Sequence, residues 1–321
     1  MTDHRPPTID PAAAAHWAQY RPLHRPPHGD PLGRDQQSSA ALQASWLHEE
    51  VGTRMQERLQ WIKNSPPAWA HWGPVRGGLQ THQKVALQYP KSACYMVETQ
   101  VKTAQAAIKL ITPPWWTAQR WRTPTPLAQT PADGAVQLVW ANMLLHMQAD
   151  PLALIGQWHR ALSVDGFLMF SCLGPDTLRE LQALYNDLGL GPCSHTFTDM
   201  HDWGDMLVQS GFAEPVMDME RIVLTFATPA RALQELRGLG RNLHPQRFAA
   251  LRGRDYKAYL EAAMQARWGS HEGGDGSIRL TFEVIYGHAY KPMPRIKVSA
   301  QSAVSMQDMR SMLAQSKTRP A

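Results

Sequence analysis

Apolar residues recur along the chain with two different spacings. Between residues 42 and 62 they recur every three to five positions, which predicts an amphipathic helix. From residue 278 to Tyr286 apolar and polar side chains largely alternate, which predicts a half-buried strand. Continuous apolar runs at 135–142 and 166–172 predict strands that are buried on both faces. Segments of the two kinds therefore follow one another along the sequence.

This alternation predicts an α/β fold, in which a mostly parallel sheet is covered by helices on both faces. The last two strands fit an antiparallel pair at one edge, and residues 229–268 between them predict an arginine-rich helical insertion. Ligands of such sheets bind at the carboxyl ends of the strands. The loops expected at that end are 73–78, 98–100, 140–146 and 172–177.

Composition divides the chain into three expected parts. Residues 1–40 are rich in Pro, His and Ala and form an N-terminal extension without predicted order. A single domain follows over 41–292, and a polar, basic tail occupies 293–321. With 43% hydrophobic residues and a net charge of +5, the chain has ample material for a core.

No apolar run is long enough to cross a bilayer, and the first residues lack the features of a signal peptide. The three cysteines have neither a zinc spacing nor a disulfide framework, so we expect a reducing cytoplasm. The histidines show no ligand spacing, and we expect no metal.

A glycine-rich segment, "GPVRGG" from Gly73 to Gly78, follows the first predicted strand. Glycines at this place let backbone N–H groups approach a ligand at the start of a helix. Glu98 ends the second strand about 20 residues further on, where an acidic residue accepts the ribose hydroxyls of a nucleoside. A plain turn and a solvated glutamate explain the same residues, so both interpretations stay open.

Three longer motifs are more specific: "FSCLGPDTLREL", "DMHDWGDMLVQSGFAEPVMDME" and "LTFEVIYGHAY". With them the chain resembles the malonyl-ACP O-methyltransferases of biotin synthesis, known as BioC, from about residue 42 to residue 290. The resemblance implies a seven-stranded, Rossmann-like methyltransferase sheet. It also implies S-adenosylmethionine as methyl donor and the free carboxyl of a malonyl thioester as acceptor. The residues expected to bind the donor are Gly73, Gly77, Gly78, Glu98 and Asn142.

The chain departs from the family pattern in the donor loop. The family loop is similar to "LDLGCGTG", whereas this chain has "AHWGPVRGG", in which Pro74 removes a backbone N–H. The family also has an acidic residue for the adenine amine, but no Asp or Glu lies between Glu98 and Asp133. We therefore expect weakened affinity for the donor.

A malonyl carboxylate is ionised at neutral pH and can attack the methyl group without a general base. The residues expected to hold that carboxylate are His195, Arg221, Tyr286 and His288. Each has an ordinary structural alternative, as a loop histidine, a surface arginine or strand residues.

Two other functions stay open on the sequence. The altered loop fits a non-catalytic binding or assembly protein. A related enzyme that uses S-adenosylmethionine differently is the other, because the assembly factors of respiratory complex I resemble this family. Residues 221–260 hold eight basic and two acidic residues, which suits docking of an acidic acyl carrier protein as well as a solvated surface. No motif accompanies the arginines that would indicate nucleic acid, and we expect no membrane partner.

Overall fold

The computed structural model describes residues 8–19, 44–117, 120, 122–248, 250, 252–268 and 277–294. Within this part, six strands form one sheet in the order β2-β1-β3-β4-β6-β5. The strands are β1 Ala68–Trp72, β2 Ala93–Val97, β3 Val136–Ala141, β4 Leu162–Leu173, β5 Ala213–Phe226 and β6 Ile278–Tyr290. The first four run parallel, and β6 runs antiparallel to both β4 and β5.

Helices cover both faces of the sheet, as the alternating pattern predicts. They are α1 Pro11–Gln19, α2 Trp46–Arg58, the four-residue α3 Pro74–Gly77, α4 Leu79–Gln88, α5 Val101–Ile111, α6 Pro151–Ala161, α7 Arg179–Asp187, α8 Met200–Gln209, α9 Pro229–Leu239 and α10 Arg254–Trp268. One buried cluster joins α2, α4, α7, α9 and α10 to the first face. A second joins α6 and α8 to the opposite face.

The sheet has six strands where the resemblance implies seven. Between α5 and β3, the described residues keep a single parallel bridge, from Leu127 to Tyr95 of β2. Prolines at 124, 126 and 131 surround that bridge. Because proline has no N–H to donate to a ladder, the segment pairs with β2 at one point and does not extend into a strand.

The N-terminal extension contains a structured element that the sequence pattern does not predict. Pro11–Gln19 forms α1, and Trp17 on it is only 4% exposed. Trp17 packs with Ile9 and Ala14 against Met147 and Leu243. Burial of this indole supplies the apolar contact that a Pro- and Ala-rich segment lacks by itself. The rest of the predicted extension, 1–7 and 20–43, and the tail from residue 295 lie outside the described residues.

The predicted helical insertion lies between β5 and β6. Thr228 caps α9, since its side chain accepts the Arg231 N–H at 3.2 Å. Helices α9 and α10 pack on the first face of the sheet through Leu239, Leu260 and Met264. They therefore cover the first face of the sheet next to the carboxyl ends of β3 and β4. No helix in the described part is long and apolar enough to cross a membrane.

Candidate active site

The glycine-rich segment forms a closed helical turn between β1 and α4, which we call the loop turn (residues 73–78). Gly73 begins it with a φ of 67°, in the left-handed region that glycine tolerates. The Gly77 N–H donates to Gly73 O at 2.8 Å, and the Gly78 N–H donates to Pro74 O at 3.0 Å. The Val75 N–H donates to Glu98 Oε1 at 2.8 Å. The turn is therefore held by its own backbone and by the carboxylate that ends β2.

Asn142, at the end of β3, ties the loop turn to the rest of the fold. Its amide donates to His48 O at 2.7 Å and also to Gly77 O, while its Oδ1 accepts the Ser171 hydroxyl at 2.6 Å. A Cβ on Gly77 would lie 3.0 Å from the Asn142 backbone oxygen. Glycine at 77 thus serves close packing inside the protein.

The start of α4 is occupied as well. Glu49, on α2, accepts the Gln80 N–H at 3.0 Å and the Thr81 N–H at 2.9 Å. A helix start beside a glycine-rich loop commonly faces an anionic ligand. In this protein an internal carboxylate takes that place, and its contact leaves no room for a Cβ on Gly78.

The structure brings together the five residues predicted for the donor, at the carboxyl edge of β1, β2 and β3. Their polar groups mostly bind one another, which differs from the expected loop whose N–H groups face a ligand. The arrangement fits a nucleoside at Glu98, a carboxylate with two acceptor oxygens at the end of β2. The backbone N–H groups of the loop turn donate within the protein and would add little to the binding of a nucleoside.

Buried histidines lie beneath the loop turn. His71 Nδ1 and His82 Nδ1 are 3.2 Å apart, so one ring donates to the other. His48 Nδ1 donates to Arg76 O at 2.8 Å. Burial lowers the pKa of His48 and of His82 to about 4, and lowers that of His71 well below its usual value. All three rings are therefore neutral at physiological pH.

Beside the loop turn, a cavity of about 280 Å³ opens under the insertion. His146 and Met147, after β3, and Leu173, at the end of β4, form its floor. Most of its wall is apolar. The apolar wall residues from the helices and β6 are Leu178, Leu181, Leu233, Leu236, Leu239, Leu260 and Phe282. The cavity thus lies where an α/β sheet binds its ligands.

Among the described residues of the cavity wall, two ring nitrogens are buried without a hydrogen bond, Nδ1 of His195 and Nδ1 of His146. His195 is 3% exposed, and its Nδ1 makes no hydrogen bond. Arg237, on α9, is solvent-exposed, and its side chain makes no ion pair or hydrogen bond with the described residues, unlike Lys257, which pairs with Glu261 at 3.3 Å. An uncommitted guanidinium beside apolar walls suits a carboxylate ligand.

Of the four residues predicted to hold the substrate carboxylate, only His195 lines the cavity. Arg221 pairs with Asp176 at 2.6 Å on the exposed part of β5. Tyr286 donates to Glu220 and lies under the Arg58 guanidinium, 3.7 Å from the ring centroid. His288 packs between Phe167 and Tyr290. Tyr286 pairs with Ser171, which bonds Asn142 at the carboxyl edge, and His288 pairs with Met169 two residues further inside the sheet. None of these three residues lines the cavity, and their contact with substrate stays a prediction.

Sequence reasoning missed Trp17, which links the loop turn to the insertion. Arg76 lies over the indole at 4.0 Å from its centroid and donates to Trp17 O, while Arg241 lies 5.2 Å from the same ring. Burial lowers the pKa of Arg76 to about 10, which leaves it cationic. A tryptophan in a Pro- and Ala-rich segment was the available signal. Arg237 was included only in the charge of the insertion.

Comparison with known proteins gives relatives over most of the chain. The chain is 35% identical over 260 residues to a malonyl-[acyl-carrier protein] O-methyltransferase of Gallionella capsiferriformans, covering 78% of this chain and 86% of the relative. It is 34% identical over 271 residues to the protein of that name from Laribacter hongkongensis, covering 81% and 88%.

No family model matches the chain. Among solved structures, the YcgJ protein of Bacillus is similar with a TM-score of 0.48 and 13% identity, covering 76% of this chain and 99% of that one. Similarity at this level carries no argument about function.

Proposed function

This chain belongs to the family of malonyl-[acyl-carrier protein] O-methyltransferases, and we propose that it methylates the free carboxyl of a malonyl thioester in biotin biosynthesis. The methyl donor is S-adenosylmethionine. The observation that carries the proposal beyond the relatives is the apolar cavity at the carboxyl edge, whose lining includes the exposed guanidinium of Arg237. The non-catalytic alternative is not favoured, because the relatives that match most of the chain carry the name of an enzyme.

On the acceptor side, Arg237 holds the malonyl carboxylate. The carboxylate is ionised at neutral pH, so no residue of the cavity has to remove a proton. The leucines and Phe282 of the wall exclude water from its oxygens, which leaves the nucleophile poorly solvated. Arg237 keeps that desolvated charge balanced and oriented.

On the donor side, Glu98 is the residue that fits. S-adenosylmethionine supplies an electrophilic methyl group when it is bound. Glu98 would accept the ribose hydroxyls, with Oε1 shared with the Val75 N–H. The loop turn, whose N–H groups donate within the protein, adds little, so we expect binding in the micromolar range or weaker.

The acyl carrier protein docks, in this proposal, at the basic insertion. The structure reduces the charge available there, because Arg231 pairs with Glu235, Arg247 pairs with Asp10 and Lys257 pairs with Glu261. Arg252 instead stacks on Tyr256 at 4.1 Å and on Phe248 at 4.4 Å, and it has no acidic partner among the described residues. The side chain of Arg254 is not among those that the structure describes. Arg237 and Arg252 are therefore the better candidates to meet an acidic carrier.

The test is methylation of malonyl-acyl carrier protein by the purified protein with S-adenosylmethionine, followed by mass spectrometry of the carrier. We expect a gain of one methyl group, and loss of that gain when the carboxyl is absent, as in the acetyl carrier. The protein should also restore growth on biotin-free medium to a strain that lacks this methyltransferase. A soluble protein that binds the donor and methylates no malonyl thioester would overturn the proposed substrate.

A further inference from the structure

The cavity under the insertion continues outward into a second space. A groove of about 800 Å³ lies between α1 and the insertion, and its walls include Arg247 and Arg252. Groove and cavity share five lining residues: Tyr185, Cys193, Arg241, Asn242 and Tyr256. The two spaces therefore adjoin each other.

His195 lies in the wall of the cavity. Its Nε2 is 2.8 Å from His146 O, and a carbonyl oxygen only accepts, so Nε2 carries the proton. In the neutral ring Nδ1 is then an acceptor, and it is buried without a partner. Burial lowers the pKa of His195, which keeps the ring in this neutral form. Phe197 contacts the ring in a tilted arrangement, with centroids 4.6 Å apart.

A neutral ring that presents a lone pair does not suit a carboxylate, because both partners would be acceptors. It suits a donor. A thioester tethered to an acyl carrier protein has its sulfur on a flexible arm that contains amide groups, and the nearest amide N–H is two carbons from the sulfur.

We propose that His195 recognises the arm of the substrate, with Nδ1 accepting the amide N–H nearest to the thioester sulfur. This inference rests on the proposed function, because it names a contact of that same substrate. Arg237 then holds the malonyl carboxylate and His195 holds the opposite side of the thioester, so that the acyl group is fixed from both ends. His195 becomes a binding residue for the arm, in place of the carboxylate contact that the sequence suggests.

The test needs two small thioesters that differ at one atom. The first is malonyl-N-acetylcysteamine, which has the amide N–H. The second is the oxygen ester analogue, in which the N–H is replaced by oxygen. We expect kcat/KM for the amide to exceed that for the ester by about tenfold, because a buried acceptor left without its donor is costly. This comparison uses the parent protein and does not depend on any variant.

Variants assign the effect to the ring. In His195→Phe the preference should disappear, so that the amide and the ester have about the same kcat/KM. In His195→Asn, where Oδ1 can replace Nδ1 as acceptor, part of the preference should return. His288→Phe is the matched control: it also removes a ring with an unpaired nitrogen, but outside the cavity, and should leave the preference unchanged. Thermal unfolding of each variant gives the fraction folded.

The outcomes separate the inference from the function on which it rests. Equal rates for amide and ester in the parent would overturn the amide contact, while methyl transfer itself would stand. A preference that persists in folded His195→Phe would assign the amide to another residue and overturn the role of His195. No methyl transfer to either thioester, or to the malonyl carrier, would instead overturn the proposed function.

Discussion

The loop turn and the cavity lie side by side at the carboxyl edge of the sheet. They differ in how far their polar groups are hydrogen-bonded within the protein. In the loop turn, Asn142, Glu98 and Glu49 form hydrogen bonds inside the protein. In the cavity, Nδ1 of His195 and Nδ1 of His146 are buried without a partner, and the exposed Arg237 makes no ion pair with the described residues. The residues of the loop turn are bonded within the protein, although the His48 and His71 rings beneath it each keep an unpaired Nε2, whereas the unpaired groups of the other region line an open cavity.

A buried polar group without a partner costs stability, so it is kept where a ligand supplies the missing bond. The cavity therefore carries more of the specificity for substrate than the glycine-rich sequence suggests. The loop turn, by contrast, is mainly a structural joint between α2, β1 and β3. The following experiments test this division of roles.

The largest expected effect is a loss of stability in acid, caused by the neutral histidines at the loop turn. His48 and His82 have a pKa of about 4 in the folded protein, against an ordinary value of 6.5. Above pH 6.5 neither state binds protons and stability is constant. Below it the unfolded chain binds protons that the folded protein refuses, so stability falls until about pH 4. Urea unfolding at pH 7 and pH 5 should differ by about 2 kcal/mol for each of these rings.

His82→Phe is the control for this assignment. It removes one of the two rings, so the difference between pH 7 and pH 5 should shrink by about 2 kcal/mol. An undiminished difference in the variant would show that other groups cause the acid effect.

Asn142→Leu should cost about 3 kcal/mol of unfolding free energy, because it leaves the Ser171 hydroxyl and the carbonyls of His48 and Gly77 without their partner. Asn186→Leu, at an exposed position on α7, is the matched control and should change stability by less than about 0.5 kcal/mol. Denaturant unfolding measures both. Equal stability of the two variants would contradict the structural role of the loop turn.

Much of the fold follows from the sequence, because periodicity reports which faces are buried. The strands β3, β4, β5 and β6 are confirmed, as is the helical insertion between the last two. The seventh strand is wrong, since the resemblance supplied it and the prolines of this chain prevent it. Helix α1 was missed because its stability comes from Trp17 burying against Met147 and Leu243, contacts that local composition does not contain.

The candidate site is less predictable than the fold. The family assignment is confirmed, and Glu98 and Asn142 lie where the strand ends place them. Arg237 was not predicted as a site residue, because nothing in the sequence distinguishes it from Arg231, which pairs with Glu235 on the same helix. Tyr286 and His288 lie on the predicted strand, but whether their side chains line the cavity depends on strand register and packing, which the sequence does not determine.

Arg237→Gln should reduce kcat/KM for a small malonyl thioester by about 10- to 100-fold, because a charged hydrogen bond to the carboxylate is lost. Arg231→Gln removes a cation from the same helix, outside the cavity, and should change the rate little. Initial rates with both variants decide the point. Similar losses in both would mean that the charge of α9, and not the cavity, attracts the substrate.

Glu98→Gln should weaken binding of S-adenosylmethionine by about tenfold, since the amide keeps an oxygen for the Val75 N–H but has lost the charge and the second acceptor. Glu98→Ala should weaken binding at least as much and also destabilise the loop turn. Titration calorimetry with the donor and with S-adenosylhomocysteine measures the affinities. Parent-like binding by Glu98→Gln would restrict Glu98 to its structural contact and would strengthen the contrast between the two regions.

The smallest expected effect concerns the entrance of the groove. Arg252 stacks on Phe248 and Tyr256 and donates to Leu190 O at 3.1 Å, which holds its charge at the surface of the insertion. An acidic carrier would gain a modest attraction there, as exposed charges at a rim do. Arg252→Gln should therefore raise KM for the malonyl carrier by about threefold, and added salt should do the same in the parent. The small thioester does not reach the rim, so its KM should stay unchanged. Equal increases for both substrates would place Arg252 among the groups that shape the cavity and would refute its role in docking.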